Sequence, residues 1–344
     1  MAENNEQEFV EKASLDDKYG GLDKKLVELL KSYEFSYFRE DTPIPFCGLL
    51  IYPVPVRHYE EFASCCSCLT LNKNEDPKGI SNSHLGYLIS KMTDKENAEE
   101  AKIWSYKVQR LFELVFHIEN GLKCKKCGHI TKYGDKDYSN YIERMNNLFK
   151  KIQENPESLT EEEVSEEYTK FHCPDCGESE MQNMISIVED PKTKKNAFSV
   201  DGHIINKNDF SKLRQIILFQ NYSDYVDESN VDPEIKKDHD EKLRIQQAKN
   251  DVHATIEKKV TCLTVTTNYK YEEIYNMSIR RFTMALATVD DLINYKIMKQ
   301  AVSSGFVSLP KGKSIEHWIY KPIKDIYGDS YKSTEQLEQE VSNL

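Results

Sequence analysis

The sequence predicts a mainly α-helical fold, a helical-bundle body into which a small β subdomain is inserted, so that the class is α+β. Apolar residues recur at helical spacing along several long segments, which predicts helices with one buried face. Short β-rich runs between residues 184 and 205 are broken by turn-forming residues, which predicts a small sheet. Two CxxCG motifs enclose the middle of the chain and predict a separately stabilised subdomain there.

These patterns divide the 344 residues into successive parts. We expect a polar N-terminal arm at 1–20, an N-terminal helical domain with a proline-rich extended strap at 21–122, a four-cysteine subdomain with a helical insert at 123–206, a C-terminal helical domain at 207–332 and a C-terminal tail at 333–344. A chain of this length can form two or three domains with cores of their own.

Composition and charge limit the class of protein. Charged residues make up 30% and hydrophobic residues 39%, as in a polar globular protein. The 46 basic and 58 acidic residues give a net charge of −12, which disfavours general binding of polyanions because phosphate contacts need a basic face. Nine cysteines in this arrangement indicate a reducing compartment. The acidic start lacks the apolar core of a signal peptide, and no apolar run reaches the roughly 18 residues of a membrane span, so we expect cytosolic synthesis and no membrane contact.

The N-terminal domain is predicted to begin with a short amphipathic helix and to continue in an extended segment. The helix starts at Leu22, from which leucines follow helical spacing. Four prolines at 42–56 then forbid a helix interior. This segment is either a strap that lines the core, which we favour, or a docking segment for a partner.

Residues 57–71 are predicted to form a helix that carries three closely spaced cysteines. We interpret Cys65, Cys66 and Cys68 as small core residues. A second metal or redox centre is the alternative, but adjacent positions on a helix point about 100° apart and do not easily share one ion.

Two more helices are predicted before the cysteine motifs. Ser83 caps the first of them. Thr93 and Glu96 form a capping box for the second, a long bundle-forming helix with an apolar stripe, which Asn120-Gly121 ends. We interpret His117, near its end, as a packed or surface residue and not as a ligand.

The strongest functional signal is the pair of motifs KCKKCG at 123–128 and HCPDCG at 172–177. Two residues between cysteines let a tight turn direct both sulfurs to one point, and the following glycine supplies the backbone freedom that closes the turn. A redox dithiol and ordinary buried cysteines are the alternatives, but neither motif has the strand-to-helix context of a redox CxxC. We therefore predict a structural Zn²⁺ site, closed to water and substrate, with the ligands Cys124, Cys127, Cys173 and Cys176.

Four lysines surround the first motif: Lys123, Lys125, Lys126 and Lys132. They either offset the negative charge of a zinc-thiolate centre, which we favour, or contact phosphate.

The segment between the motifs predicts helices at 138–153 and 160–168, the second of which opens with a capping box. This insert is longer than a minimal zinc ribbon needs, so it is a candidate contact surface. Strand-like runs follow at 184–189, 196–200 and 203–205, and we predict that they form the sheet of the ribbon.

The C-terminal domain is predicted to be helical. We expect helices from Asn208 to Phe219, at 233–251, at 271–276 and from Ile279 to about Ser303. Residues 254–267 are ambiguous between strand and helix. Met277-Ser278 forms the turn before the last helix, Gly305 ends it, and Trp318 packs back onto the bundle.

The turn at 277–278 also raises the question of a helix-turn-helix DNA reader. Only Arg280 and Arg281 lie near the start of the second helix, and the surrounding segment is not basic. DNA reading is therefore disfavoured.

Catalytic signatures are missing from the chain. It contains no GxxxxGK[ST] phosphate loop and no GxGxxG, HExxH or GxSxG motif. The nine histidines lie in no Cys-His or Ser-His arrangement that the sequence supports. We therefore expect a protein that is not an enzyme.

Two blocks of the chain resemble proteins of large tailed bacteriophages. The C-terminal block reads YEEIYNMSIRRFTMALATVDDLINYKIMKQAVSSGFV, followed by IEHWIYK, and the N-terminal block reads IPFCGLLIYPVPVRHYEEF and SCCSCLTLNKNEDPKGIS. Together they are similar to tail, baseplate-hub or tail-assembly proteins and cover about half of the chain. The resemblance implies a virion tail component, or an assembly factor that acts on one.

The leading hypothesis is a non-enzymatic structural component of a phage tail or baseplate, in the hub or wedge region. It would act as a protein-protein interaction scaffold that a bound zinc ion stabilises. It implies contacts with other tail or baseplate proteins, or with further copies of the chain, and a place in the virion after synthesis in the host cytoplasm. The alternatives are a tail assembly chaperone absent from the mature virion, a zinc-ribbon nucleic-acid-binding protein, and a thiol-redox enzyme.

Overall fold

Alternating helical and strand-forming segments give the chain a mixed α+β architecture in the computed structural model. The structure describes residues 41–222 and 254–320, except 73–78, 80, 81, 155–158, 161, 162, 164, 306, 310–313 and 316, together with positions 237, 238, 241, 242, 244 and 245. The predicted arm, the helix from Leu22 and the C-terminal tail lie outside the described residues, and so does most of the predicted helix at 233–251.

The helices differ in length from four to 25 residues. They are α1 (Tyr59–Cys65), α2 (His84–Met92), α3 (Ala98–Phe116), α4 (Lys136–Glu154), α5 (Glu166–Thr169), α6 (Lys207–Asn221), α7 (Ile256–Thr266), α8 (Tyr271–Asn276) and α9 (Ile279–Ser303). Short 3-10 helices lie at Val56–His58, Cys66–Cys68 and Trp318–Tyr320.

The strands form three small antiparallel sheets. They are β1 (Ile44–Phe46), β2 (Leu49–Ile51), β3 (Gly121–Cys124), β4 (Ile130–Lys132), β5 (Met181–Asn183), β6 (Ile185–Glu189), β7 (Asn196–Val200) and β8 (His203–Ile205). The sheet orders are β1-β2, β4-β3-β5 and β6-β7-β8.

The main core is built from the apolar stripes of α3 and α6. Leu111 and Phe112 of α3 and Ile216 of α6 are fully or almost fully buried. Phe198 of β7 packs edge-on against Phe112, with 5.3 Å between ring centroids, and also contacts Phe210 at 5.8 Å. The sheet β6-β7-β8 is therefore tied to both helices by aromatic contacts.

This packing corrects the prediction for the strands after the second cysteine motif, which was wrong about their place. Ile185, Phe198, Val200 and Ile205 belong to the main core and not to the ribbon. The two cysteine motifs and the sheet that carries them are called the ribbon below. Its sheet is β4-β3-β5, whose strands are three or four residues long. The apolar faces of β6-β7-β8 need a large partner surface, and the ribbon is too small to supply it.

The proline-rich segment starts as a hairpin and continues as a strap. Cys47 and Gly48 both have positive φ angles, of 51° and 79°, which is the conformation of a two-residue type I′ turn between β1 and β2. Downstream, Val54 and Val56 are buried. The prediction that this segment lines the core is confirmed, whereas the hairpin was not predicted.

Hydrogen bonds hold the strap at every second residue. The backbone N–H of Tyr52 donates to Val115 O at 2.7 Å, that of Val54 donates to Asn221 Oδ1 at 2.9 Å, and that of Val56 donates to Met277 O at 2.8 Å. Proline supplies no N–H at positions 53 and 55. The strap thus makes one bond to α3, one to α6 and one to the turn before α9.

Both predicted boundaries of α3 were wrong. Thr93 Oγ1 donates to Ile89 O of the preceding helix, and the N–H of Glu96 donates to Asp94 Oδ1, so the two residues of the expected capping box are used elsewhere and the helix begins at Ala98. The helix ends at Phe116, because His117 adopts a left-handed conformation (φ 52°) and stacks on Tyr52 with 4.0 Å between ring centroids.

The three closely spaced cysteines lie inside the main core, as predicted. Cys65, Cys66 and Cys68 are buried, and burial raises the pKa of the Cys66 and Cys68 thiols to about 12. Such thiols stay protonated and are poor nucleophiles or metal ligands. Cys66 Sγ lies 3.7 Å from the hydroxyl of Tyr222, whose ring packs against Phe62.

A second, smaller core lies between α7, α8 and α9. Val260, Leu263, Ile274 and Phe282 are fully buried in it, together with Val56 of the strap. Residues 254–267, ambiguous in sequence, form a helix because Thr255 caps its start and Val260 and Leu263 point into this core.

The two cores exchange side chains at the strap. Val56 is inserted into the second core, while Ile279, the first residue of α9, is inserted into the main core. The N–H of Ile279 donates to Val54 O at 2.9 Å, next to the bond between Val56 and Met277. Each core therefore includes one residue whose neighbours in the chain belong to the other core.

The arginines at the start of α9 are both engaged within the protein. Arg280 is buried, donates from Nη1 to Phe219 O and lies 4.4 Å from the centroid of the Phe219 ring. Arg281 donates to Asp41 at 3.0 Å. Both side chains thus make contacts within the protein.

The long helix α9 ends as predicted, and the segment after it returns to its surface. Gly305 follows the helix with a φ of 78°. His317 packs against Tyr295 of α9 at 5.1 Å and against Trp318 at 5.7 Å between ring centroids. None of the described helices is both long and apolar enough to span a membrane.

Replacing Val56 with alanine tests the exchange between the cores. We expect Val56→Ala to lower the free energy of unfolding by about 1–3 kcal/mol, because it removes buried methyl groups at the joint. Urea denaturation measures the change. Val265→Ala is the matched control, since Val265 is 79% exposed, and should stay within about 0.5 kcal/mol of wild type. Equal losses in the two variants would contradict the exchange.

Buried Tyr222 is expected to make the stability of the protein decrease at alkaline pH. Burial, followed by the nearby Cys66 thiol, raises the pKa of Tyr222 well above its ordinary value of 10. The unfolded chain then loses the phenolic proton more easily than the folded one, so the contribution is complete below about pH 10 and is lost as pH rises further. We expect Tyr222→Phe to flatten the decline of the melting temperature above about pH 9.5, whereas Tyr106→Phe, at a 66% exposed residue, should leave it unchanged. Parallel pH profiles of wild type and Tyr222→Phe would refute this assignment.

Candidate metal centre and contact surfaces

The two CxxCG motifs bring their four cysteines together. Cys124 Sγ lies 3.6 Å from Cys176 Sγ, and Cys127 Sγ lies 3.5 Å from Cys173 Sγ. All four sulfur atoms lie within 4.8 Å of one another. The residues predicted from sequence as one ligand set therefore converge on a single point.

These distances fit a tetrahedral metal ion better than they fit disulfides. A zinc–sulfur bond of about 2.3 Å places the corners of a regular tetrahedron about 3.8 Å apart, close to both measured separations. A disulfide would need sulfurs at about 2.05 Å. Four thiolates are also the ligand type that soft metal ions prefer, and they complete a tetrahedral shell without water.

The backbone of each motif forms the same turn. Gly128 and Gly177 have φ angles of 77° and 70°, a conformation that glycine adopts without strain. The N–H of Gly128 donates to Cys124 O at 3.0 Å, and that of Gly177 donates to Cys173 O at 2.9 Å. The repeated turn explains why each motif needs glycine directly after its second cysteine.

Neighbouring thiols and backbone N–H groups shift the pKa values of the clustered cysteines. The backbone N–H of Cys127, with further donors, lowers the pKa of Cys124 to about 7. At Cys127, the backbone N–H of His129 favours the thiolate, but desolvation and the thiols of Cys176 and Cys173 outweigh it and raise the pKa to about 12. Several thiolates this close repel one another, so the fully ionised cluster requires a cation at its centre.

Ion pairs across the two turns repeat with approximate two-fold symmetry. Lys126 lies between the cysteines of the first motif and pairs with Glu178, two residues after the second motif's last cysteine, at 3.8 Å. Asp175 holds the equivalent position in the second motif and pairs with His129 at 2.8 Å. In both pairs the basic side chain comes from the turn of the first motif and the carboxylate from the turn of the second.

All four lysines around the first motif are close to carboxylates. Besides Lys126, the pairs are Lys123 with Asp201 at 2.6 Å, Lys125 with Glu180 at 3.8 Å and Lys132 with Glu119 at 2.7 Å. Each of the four lysines thus lies next to an acidic side chain of the same chain.

An aromatic cluster attaches the helical insert to the ribbon. Tyr138 and Tyr141 of α4 pack against Phe171, which directly precedes the second motif, at 5.9 and 5.4 Å between ring centroids. Tyr133, after β4, contacts Tyr138 at 4.8 Å. The Tyr141 hydroxyl donates to Thr169 O at 3.0 Å, which ties α4 to the end of the insert. This cluster was not predicted, although Tyr138 and Tyr141, three residues apart on one side of a helix, were a signal for it.

The outer face of α4 exposes large apolar side chains. Ile142, Phe149 and Ile152 are 38%, 57% and 42% exposed. They follow spacings of seven and three residues and lie on one side of the helix. The insert thus presents an apolar stripe, as the prediction of a contact surface requires.

The second half of α9 presents another such face. Ile279 and Phe282 are buried at its start, but Ile293 and Ile297 are 41% and 56% exposed. The apolar periodicity predicted from sequence therefore extends beyond the part of the helix that the second core covers.

All buried residues of the second core except Val56 lie in a segment that is similar to a known domain. Residues 246–322 match a family described as the YomV second domain, and YomV is a protein of the Bacillus phage SPbeta region. The matched segment includes α7, α8 and α9 and overlaps the C-terminal block that resembles phage tail proteins. This part of the chain is thus similar to a phage-associated domain. Comparisons with curated proteins and with solved structures found no match.

Removing Phe171 tests the attachment of the insert. We expect Phe171→Ala to lower the free energy of unfolding by about 3–5 kcal/mol, because it empties a buried aromatic site between α4 and the ribbon. Phe149→Ala is the control on α4, since Phe149 is exposed, and should change stability by less than about 0.5 kcal/mol. Guanidinium denaturation of both variants decides the point; a Phe171→Ala protein as stable as Phe149→Ala would argue against the cluster.

Proposed function

We propose that this chain is a non-enzymatic structural protein of a bacteriophage tail or baseplate, in the hub or wedge region, and that its four cysteines bind a structural Zn²⁺ ion. The match of residues 246–322 to a phage-associated domain carries the proposal. The ribbon and the exposed helix faces supply its mechanism.

Zinc is the metal that the ligand set supports best. Four cysteine thiolates with tetrahedral separations are typical of structural zinc sites, which lack redox chemistry and stabilise small subdomains directly. The ribbon is a case in need of such support, since its sheet has three strands of only three or four residues.

The closed ligand set favours scaffolding over catalysis. Four protein sulfurs fill a tetrahedral shell, and a catalytic zinc keeps one position for water or substrate. Within the residues that the structure describes, these cysteines form the sole cluster of three or more potential metal ligands. The sequence also lacks the common catalytic motifs.

Neighbouring subunits are the partners that the surface supports. The apolar stripe of α4 and the distal half of α9 expose isoleucine and phenylalanine side chains of the kind that fill the centres of protein interfaces. They lie on different elements, the insert and the C-terminal unit. A protein that contacts two neighbours, or other copies of itself, could use both.

Mass spectrometry of purified virions tests the proposed role. We expect peptides of this chain in density-purified particles at a copy number comparable to known baseplate proteins, and localised density at the tail tip in cryo-microscopy. Presence in the lysate with absence from particles would leave only the assembly-chaperone alternative. Salt-sensitive gel shifts with DNA or RNA would favour the nucleic-acid alternative instead.

Metal analysis tests the zinc site. We expect full-length protein purified under reducing conditions to carry one zinc equivalent per chain and Cys173→Ser to retain less than about a tenth of it, because three sulfurs no longer complete the shell. Elemental mass spectrometry measures the ratio. Cys262→Ser removes an exposed cysteine outside the cluster and should keep the full equivalent. Wild-type protein without bound metal would overturn the assignment.

A further inference from the structure

The four cysteines of the candidate centre differ in their exposure to solvent as residues. Cys127 and Cys176 are exposed, whereas Cys124 and Cys173 are buried. In each motif the first cysteine is therefore buried and the second faces water. A small oxidant that approaches from solvent meets Cys127 or Cys176 first.

Each exposed sulfur is in close contact with the buried sulfur of the opposite motif. Cys127 Sγ lies 3.5 Å from Cys173 Sγ, and Cys176 Sγ lies 3.6 Å from Cys124 Sγ. Both contacts thus join one solvent-facing sulfur, positioned for attack on an oxidant, to one protected sulfur positioned to resolve the product. Both contacts also cross between the two turns.

From this arrangement we infer that the cluster is a redox-convertible staple, in which a peroxide replaces the metal with two disulfides, Cys127–Cys173 and Cys124–Cys176. The inference rests on the zinc site of the proposed function for its reduced state. The two turns stay joined in both states, by a metal in one and by covalent bonds in the other.

The chemistry balances with hydrogen peroxide as the oxidant. The Cys127 thiolate attacks one peroxide oxygen, the O–O bond breaks, and hydroxide leaves a sulfenic acid on sulfur. The Cys173 thiolate then attacks that sulfur and expels a second hydroxide as the S–S bond forms. Cys176 and Cys124 react in the same way with a second peroxide. In total, two peroxides accept four electrons from the four thiolates, solvent supplies the four protons that convert the released hydroxides to water, and two disulfides and one free Zn²⁺ result.

The geometry requires only small movements. Each sulfur pair must close by about 1.5 Å to reach the disulfide length of about 2.05 Å. The contacts of Lys126 with Glu178 and of His129 with Asp175 join the same two turns and involve none of the four sulfurs.

Such a staple suits a protein that changes compartment. In a reducing cytoplasm the thiolates bind metal, and in a particle released from the lysed cell the same residues meet an oxidising medium. A centre that paired cysteines within each motif would lose the link between the turns on oxidation. Pairing between motifs preserves it.

Disulfide mapping tests the inference. Full-length zinc-loaded protein is treated with hydrogen peroxide, released zinc is followed with a chromogenic chelator, and unreduced tryptic peptides are identified by mass spectrometry. Cleavage after Lys125 and Lys126 places Cys124 and Cys127 on separate peptides, and a second digestion with endoproteinase Asp-N, which cuts before Asp175, separates Cys173 from Cys176. We expect the loss of one zinc equivalent and of four cluster thiols, with links 127–173 and 124–176. Links within a motif, or zinc loss without any link between motifs, would overturn the inference.

Variants separate this inference from the proposed function. Cys127→Ser should halve the loss of cluster thiols and leave the 124–176 link alone, while the exposed-cysteine control Cys262→Ser should give both links. Links between motifs in protein that carries no zinc would support the pairing and reject the metal. Links within motifs would reject the pairing and leave the virion experiment unaffected.

Discussion

A buried extended strap, held by alternate residues, is the constraint on which the rest of this structure depends. A buried strand segment outside any sheet must satisfy each backbone N–H in another way, because an unpaired buried donor costs roughly 1–3 kcal/mol. Prolines at 53 and 55 remove every second donor. The remaining donors, on Tyr52, Val54 and Val56, each bond to a different element. The strap thereby fixes the positions of α3, α6 and the start of α9 relative to one another.

The sequence was a good guide wherever one local pattern decided the outcome. The predicted bounds of α4, α6 and α9 agree with the structure within a few residues, and for α6 and α9 an apolar stripe at helical spacing was the signal. The cysteine spacing predicted which residues converge, because two similar tight turns can satisfy only one shared centre. These predictions needed no knowledge of the tertiary fold.

Predictions failed where two structural elements competed for one residue or one apolar surface. Thr93 suits a capping box, but its hydroxyl bonds back to Ile89 and closes the preceding helix. The strands β6 to β8 suit a ribbon, but their apolar residues complete the larger core. The ion pairs around the cysteines were also beyond reach, since Lys126 and Glu178 are distant in sequence and meet only after both turns have formed. At Thr93 a competing local contact decided the result, and for the strands and the ion pairs a tertiary contact did.

The exchange of Val56 and Ile279 has a consequence for any shortened form of the protein. The phage-associated segment at 246–322 excludes the strap, so a fragment cut at its boundaries would lack Val56 and would carry an open slot in its core. Met277 O and the N–H of Ile279 would line that slot as a ready acceptor and donor. Such a fragment would behave as a receptor for an extended apolar peptide, and the intact chain is the case in which receptor and peptide are covalently one molecule.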